Sequence, residues 1–304
     1  MKKKPSFADL LNSEKFIVSA ELTPPVHYQL EDFMKQVEIT NEYVDIIQIN
    51  DHLLAKARIT NLIAGQQCKV AGINPVLQVT LRHKNRIAIQ GDLLGMAALG
   101  LNNINVLSGY PCRIGTDDNA KDVNDLETLE AIKKITTLSR DGELFNGEVI
   151  QPAPQFTIGT IEFPCGLDQI DKSMERLEQK IDAGAQFIQI QAVFEVETLA
   201  IWMKEVGKRN LHKRACFMGA IFPFNNHERV NVLKEIPGLN IPDKIINRVK
   251  KNNQEEESLQ IMVELIHGIR NIEGIRGIHI RCIGIESWVP RIVEASGLGG
   301  ELVY

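Results

Sequence analysis

Short runs of apolar and β-branched residues recur along this chain, each followed by a stretch whose apolar residues fall at helical spacing. Eight such runs stand out: "FIVSAEL" (16–22), "YVDIIQIN" (43–50), "NPVLQVTL" (74–81), "NNINVLSG" (102–109), "FTIGTIEF" (156–163), "AQFIQIQAVF" (185–194), "RACFMGAIF" (214–222) and "GIHIRCIG" (277–284). Between them, segments such as "DLETLEAIKKITTLS", "LDQIDKSMERLEQKI" and "EEESLQIMVELIHGIRN" place apolar residues on one helical face. Alternation of this kind predicts a parallel sheet, and the near-continuous apolarity of the strands predicts burial on both faces. Eight repeats predict closure into an α/β fold, the (β/α)8 TIM barrel. The 304 residues suit it as a single domain over residues 1–304, since such barrels take roughly 250 residues. The competing architecture is an open doubly wound sheet, which normally begins with a G-x-G-x-x-G turn; "SAELTPP" after the first strand is unlike it.

Composition removes several function classes. A hydrophobic content of 44% with 24% charged residues predicts an ordinary globular core, and a net charge of −5 argues against a nucleic-acid surface. The basic start Met1-Lys2-Lys3-Lys4 runs into Pro5 and polar residues and reads as a solvated tail, not a signal peptide. No window reaches the ~20 consecutive apolar residues of a membrane span. The five cysteines form no C-x-x-C pair and are odd in number, which predicts reduced thiols in a cytoplasmic protein. There is no H-E-x-x-H, so no metal site is expected. Arg113 to Asp125 reads as a long polar loop, and Lys250 to Glu257 as a charged helix start or loop.

Barrel enzymes build their sites where strands end at the C-terminal face. The predicted exits are polar: Glu21, Asn50-Asp51-His52, Gln78, Thr80, Arg82-His83, Ser108-Gly109-Tyr110, Glu162, Gln189, Gln191, Asn225-Asn226-His227 and Glu286. Glu21, stiffened by Pro24 and Pro25, has two readings: a carboxylate paired with a nearby arginine, or a general acid whose pKa an apolar barrel mouth raises. Asn50-Asp51-His52 suits a turn with a helix cap or a ligand contact. Arg82 and its neighbours suit an anion or a solvated basic turn. Gly109, between two polar side chains, lets backbone approach a flat ligand. Gln189 and Gln191 share one strand face, and a glutamine inside a barrel needs a partner, from the core or from a ligand. Lys180 reads as a helix-surface lysine on spacing alone.

These pieces resemble the methylenetetrahydrofolate reductases. "VSAELTPP" is similar to that family's S-F-E-F-x-P-P opening strand. "KIDAGAQFIQIQAVF" resembles its K-x-D-A-G-A-x-F-x-x-T-Q-x-x-F/Y segment, and "KNRIAIQGDLLGMAALGLNNINVLSG" its R-N-x-x-x-x-Q-S-x-L-x-G-A-x-x-L-G-I-x-N-x-L-x-x-T-G-D stretch. "GAIFPFNNHERVNVLKEIPGLNIP" and "GIHIRCIGIE" match its later strands, so the resemblance covers nearly the whole chain. It implies a barrel that holds FAD at the strand ends, takes electrons from NADH or NADPH, and reduces 5,10-methylenetetrahydrofolate to 5-methyltetrahydrofolate. Glu21 then corresponds to the acid that helps open the imidazolidine ring. Gln191, with Tyr110 and Arg229, falls at substrate-binding positions. Asn50, Asp51, Gln78, Thr80, Arg82, Ser108, Gly109 and Lys180 fall at cofactor-binding ones, with Lys180 near the flavin phosphates. A homo-oligomer or a subunit of a one-carbon enzyme complex is the implied assembly.

Departures from the pattern concentrate where flavin and pterin would meet. The family's T-G-D reads Ser108-Gly109-Tyr110, R-D-R-N reads Arg82-His83-Lys84-Asn85, Gln78 and Pro164 replace frequent histidines, and Arg229 replaces a glutamine that contacts folate. Loss of a carboxylate at Tyr110 alters the local charge by a full unit. An alternative on the same barrel is therefore a tetrahydrofolate-binding methyltransferase, or a subunit of one, that uses no flavin.

Overall fold

The computed structural model describes residues 4–250 and 253–301. All eight predicted strands form: Ile17–Leu22 (β1), Ile46–Ile49 (β2), Val76–Thr80 (β3), Asn103–Leu107 (β4), Thr157–Glu162 (β5), Phe187–Ile190 (β6), Cys216–Ile221 (β7) and Ile275–Ile280 (β8). They pair in parallel in chain order, and β8 returns to β1 with Ile17 opposite Gly277 and Ala20 opposite Ile280, which closes the barrel. The predicted (β/α)8 TIM barrel is therefore the fold. The ladders are shorter than the apolar runs because those runs continue into the exit loops: β6 ends at Ile190, one residue before Gln191. At β8 the prediction started late, since Ile275 and Arg276 already belong to the strand.

The helices are Phe7–Asn12 (α1), Glu31–Tyr43 (α2), Asn61–Val70 (α3), Arg86–Ala98 (α4), Thr128–Asp141 (α5), Ile170–Asp182 (α6), Val196–Lys208 (α7), His227–Lys234 (α8), Asp243–Val249 (α9), Gln254–Arg270 (α10) and Val289–Ala295 (α11). On α5, Ala131, Ile132, Ile135 and Leu138 are fully buried, and each large apolar side chain contributes about 1.5–3 kcal/mol. Asn85 starts α4 by accepting the Ala88 N–H at 3.0 Å, and Gly142 ends α5 at φ +74. The predicted loop from Arg113 to Asp125 forms, apart from a short 3-10 turn at Cys112–Ile114. Of the charged stretch at Lys250 to Glu257, Lys251 and Asn252 lie outside the described residues, and α10 begins at Gln254. Among the described residues no helix is long and apolar enough to cross a membrane.

The N-terminal segment corrects one expectation. Met1, Lys2 and Lys3 lie outside the described residues, but Lys4 is not a solvated charge: it donates to Asn41 Oδ1 at 3.0 Å and to the Val44 carbonyl, and burial lowers its ammonium to about 8. The next residues form α1, held by a capping box in which Ser6 and Asp9 satisfy each other's N–H groups. This helix closes the N-terminal mouth of the barrel. Phe7 packs edge-on against Phe187 at 5.0 Å, within a buried cluster of strand-start residues that includes Ile17, Ile46, Val76 and Met218. Arg276 donates to the carbonyls of Leu11 and Ser13, where α1 ends. With the bottom plugged, the open end is the C-terminal face.

Candidate functional site

Two polar layers climb the inside of the barrel, because residues two apart on a strand share a face. In the lower layer Asn105 donates to Gln48 Oε1 at 3.3 Å and to Gln189 Oε1 at 3.0 Å, and Gln48 reaches Ser19 at 3.4 Å. Ser19 in turn bonds His279 Nδ1 at 3.0 Å. Gln189 thus finds its predicted partner in the core.

The upper layer is organised around Glu21, which is 1% exposed. Gln78 Nε2 donates to its Oε2 at 2.9 Å, His279 Nε2 lies 3.5 Å from the same oxygen, and Arg281 Nε donates to Oε1 at 3.4 Å. Asn50 accepts from the Thr23 hydroxyl at 2.7 Å and donates to both Glu21 oxygens at 3.2 Å, the amide orientation that keeps its own oxygen away from the carboxylate. Burial alone pushes the Glu21 pKa up, but the Arg281 guanidinium and the His279 contacts outweigh it and hold the carboxyl at about 2. Burial lowers the pKa of His279, which favours the neutral ring. Of the two readings of Glu21, this resting arrangement has the geometry of the first, a carboxylate paired with an arginine.

A cavity of about 560 Å3 opens above this layer at the strand exits. Gln78, Thr80, Ser108, Gly109, Tyr110, Lys180, Gln191 and Asp51 all line it, so the structure brings most of the sequence-predicted residues to one space. Glu21 and Asn50 lie beneath its floor, which Gln78 and Arg281 form. Asp51 is tied down by the Thr80 N–H at 3.1 Å and the Lys84 ammonium at 2.8 Å. Gly109 sits at φ +86, where a Cβ would lie 2.3 Å from Thr80 Cγ2, so only glycine lets this exit pack so tightly. His83 Nε2 bonds the Tyr110 carbonyl at 3.0 Å.

Two predicted residues point elsewhere. Arg82 donates to the Gly109 carbonyl, Asp122 and Asn124, and so pins the long loop after β4. Arg229 is half-buried at the start of α8, beside Gly284 and the charge of Glu286. Lys180 is not on a helix surface: at 8% exposure it donates to the Ile161 carbonyl and to Glu162 Oε2, both at 2.8 Å. Glu162 is also bonded by Arg176. Burial raises the Glu162 pKa, and the two cations outweigh that and leave it below the ordinary value. Lys172 also lines the cavity, so Lys172, Arg176 and Lys180 bring three cations to it, two of them paired with Glu162.

Sequence reasoning missed Arg281, His279 and Arg176. The signal was present for the first two, since His279 and Arg281 stand two apart in an apolar strand and must share its inner face. Arg176 gave none, because an arginine on an amphipathic helix ordinarily faces solvent.

The family described as methylenetetrahydrofolate reductase matches residues 6–297. A probable methylenetetrahydrofolate reductase (NADPH) of Caenorhabditis elegans is 21% identical over 305 residues, covering 95% of this chain and 43% of that protein. Methylenetetrahydrofolate reductase 1 of Schizosaccharomyces pombe is 27% identical over 152 residues, covering 47% of this chain and 25% of that protein. The chain spans less than half the length of these curated relatives. Among solved structures, an uncharacterized protein from Clostridium thermocellum that binds two copies of 5-methyl-5,6,7,8-tetrahydrofolic acid shares the fold, with a TM-score of 0.64 at 15% identity over 96% of this chain and 98% of that one.

Proposed function

Because the chain belongs to the methylenetetrahydrofolate reductase family, we propose that it acts on folate-bound one-carbon units and reduces 5,10-methylenetetrahydrofolate to 5-methyltetrahydrofolate. The observation that carries this reading is the convergence of Gln78, Gln191 and Arg281 over buried Glu21, on the floor of a cavity at the strand exits. A pterin is flat and rimmed by donors and acceptors, and such a floor complements it. On the same reading residues 1–304 act as one barrel domain in the cytoplasm, as a homo-oligomer or as a subunit of a one-carbon enzyme complex.

The residues present fit FAD. The cavity falls within the roughly 300–1,000 Å3 of small-molecule sites, and its lining residues Lys172, Arg176 and Lys180, two of them paired with Glu162, leave an excess of positive charge suited to a pyrophosphate. Thr80, Ser108 and Gly109 would flank the ring system, and Lys180 and Arg176 would hold the phosphates. Bound there, FAD would supply the hydride, with NADH or NADPH renewing it. The chain's own residues fix the folate and exclude water. Proton delivery from Glu21 requires the Arg281 guanidinium to leave it first, because burial then acts on the carboxyl with less opposition.

A departure from the family pattern favours a second reading. With Tyr110 where the family has an aspartate, the site also suits transfer of the N5 methyl group of 5-methyltetrahydrofolate to a nucleophile brought by a partner. The N5–carbon bond breaks as the nucleophile–carbon bond forms, N5 keeps the electron pair and takes a proton, and no redox chemistry is needed. A visible absorbance spectrum of the purified full chain, an FAD titration and calorimetry with tetrahydrofolate separate the two. Flavin absorbance or FAD uptake, with folate-dependent oxidation of NADH or NADPH, supports the reductase. A colourless protein that binds tetrahydrofolate but no FAD supports methyl transfer, and binding of neither defeats both.

A further inference from the structure

The floor of the cavity presents donors, and this restricts which edge of a ligand it receives. Gln191 Oε1 is taken twice, by Arg281 Nη1 at 2.6 Å and by the Ala192 N–H at 3.0 Å. What remains to face the cavity is its amide N–H2 group. Glu21 is surrounded by N–H groups of Gln78, Asn50, His279 and Arg281, so its lone pairs are spent below the floor. Arg281 lines the cavity, with its guanidinium carbon 5.1 Å from the Phe222 ring centroid. A guanidinium has five N–H donors, and among the described residues Glu21, Gln191 and Tyr110 engage this one. The N–H groups these three leave over lie in the plane of the guanidinium, which lines the cavity and can meet an acceptor there.

We propose that Arg281 is a specificity-determining residue of the folate site: its guanidinium and the Gln191 amide donate to the 4-carbonyl oxygen of the pterin, which offers two lone pairs, and turn away a donor at that position. The inference rests on the folate reading and holds whether a hydride or a methyl group moves. Because N5 carries the one-carbon unit and lies next to that oxygen on the ring, the contact sets the reacting nitrogen at the floor with its electron pair free.

Calorimetric titration of the full chain with tetrahydrofolate and with its 4-amino-4-deoxy analogue tests this. The analogue sets a donor against a donor, so the parent protein is expected to prefer the 4-oxo ligand by roughly 10- to 100-fold, the range of one hydrogen bond to a charged group. Arg281→Met should bring the ratio near one, and Arg281→Lys should keep part of it. Since Arg281→Met leaves Glu21 without its guanidinium, the double variant Glu21→Gln/Arg281→Met serves where the single one does not fold, with the same levelled ratio expected. Equal affinities in the parent, or a full preference retained without Arg281, overturn the inference and leave folate binding standing. Binding of neither pteridine overturns the folate reading, and the inference with it.

Discussion

Lys180→Met removes a cation that is 8% exposed and donates at 2.8 Å to both the Ile161 carbonyl and Glu162. At that separation the Coulomb attraction is about 6 kcal/mol for an effective dielectric constant near 20, and desolvation of the two ions takes back much of it. The variant leaves Glu162, itself 0% exposed, with Arg176, whose side chain is 52% exposed and screened by water. Breaking a buried pair costs about 3–5 kcal/mol. With Arg176 still in place, a loss of about 2–3 kcal/mol is expected for Lys180→Met. Glu162→Gln, which strands the lysine, should cost a similar amount. The double variant Glu162→Gln/Lys180→Met buries no unpaired charge and should lose less than the sum, giving a coupling of about 2 kcal/mol. Denaturant unfolding of the four proteins at neutral pH, followed by circular dichroism, measures the cycle. The pH dependence has a definite sign: the Glu162 pKa is held below the ordinary 4.5, so the charge contributes fully above that value and its contribution fades as pH falls below it. Strictly additive losses, or a gap between parent and Lys180→Met that widens on acidification, would refute a buried pair held by mutual charge.

Two further outcomes follow from the same site. The carbon-13 carboxyl resonance of Glu21, assigned by its absence in Glu21→Gln, should stay in its ionised position from pH 8 down to pH ~4, because Arg281 and His279 hold the group at about 2; a titration inside that range would restore the raised-pKa acid. Gly109→Ala should cost about 1–3 kcal/mol, since it forces an unfavourable φ of +86 and sets a methyl 2.3 Å from Thr80 Cγ2; thermal unfolding should show part of the loss recovered by Thr80→Ser, which removes the struck methyl group, and no recovery would locate the cost in the backbone alone.

The positions of the site residues were legible where strand periodicity applies. Gln78, Thr80, Ser108, Gly109 and Gln191 stand at or beside strand ends, and a closed parallel barrel carries all strand ends to one face. Lys180 and Arg176 were misread or missed because helical spacing says only that a residue is polar, not whether a buried carboxylate waits opposite. Arg229 was expected to contact the substrate, yet it stands in the first turn of α8, and which way it points depends on Gly284 and Glu286 beyond β8, far along the chain.

The eight-fold alternation of apolar strands and amphipathic helices determined the barrel, since each element must bury its apolar face and the order along the chain leaves few ways to do so. It also determined that Glu21 stands on the inner face at the end of the first strand. What only the tertiary structure decided was the state of that carboxylate. Arg281 lies 260 positions away in sequence, and closure of β8 onto β1 is what sets its guanidinium against Glu21. Local sequence fixes which face a side chain takes through backbone geometry, but the charge it meets there is set by long-range pairing.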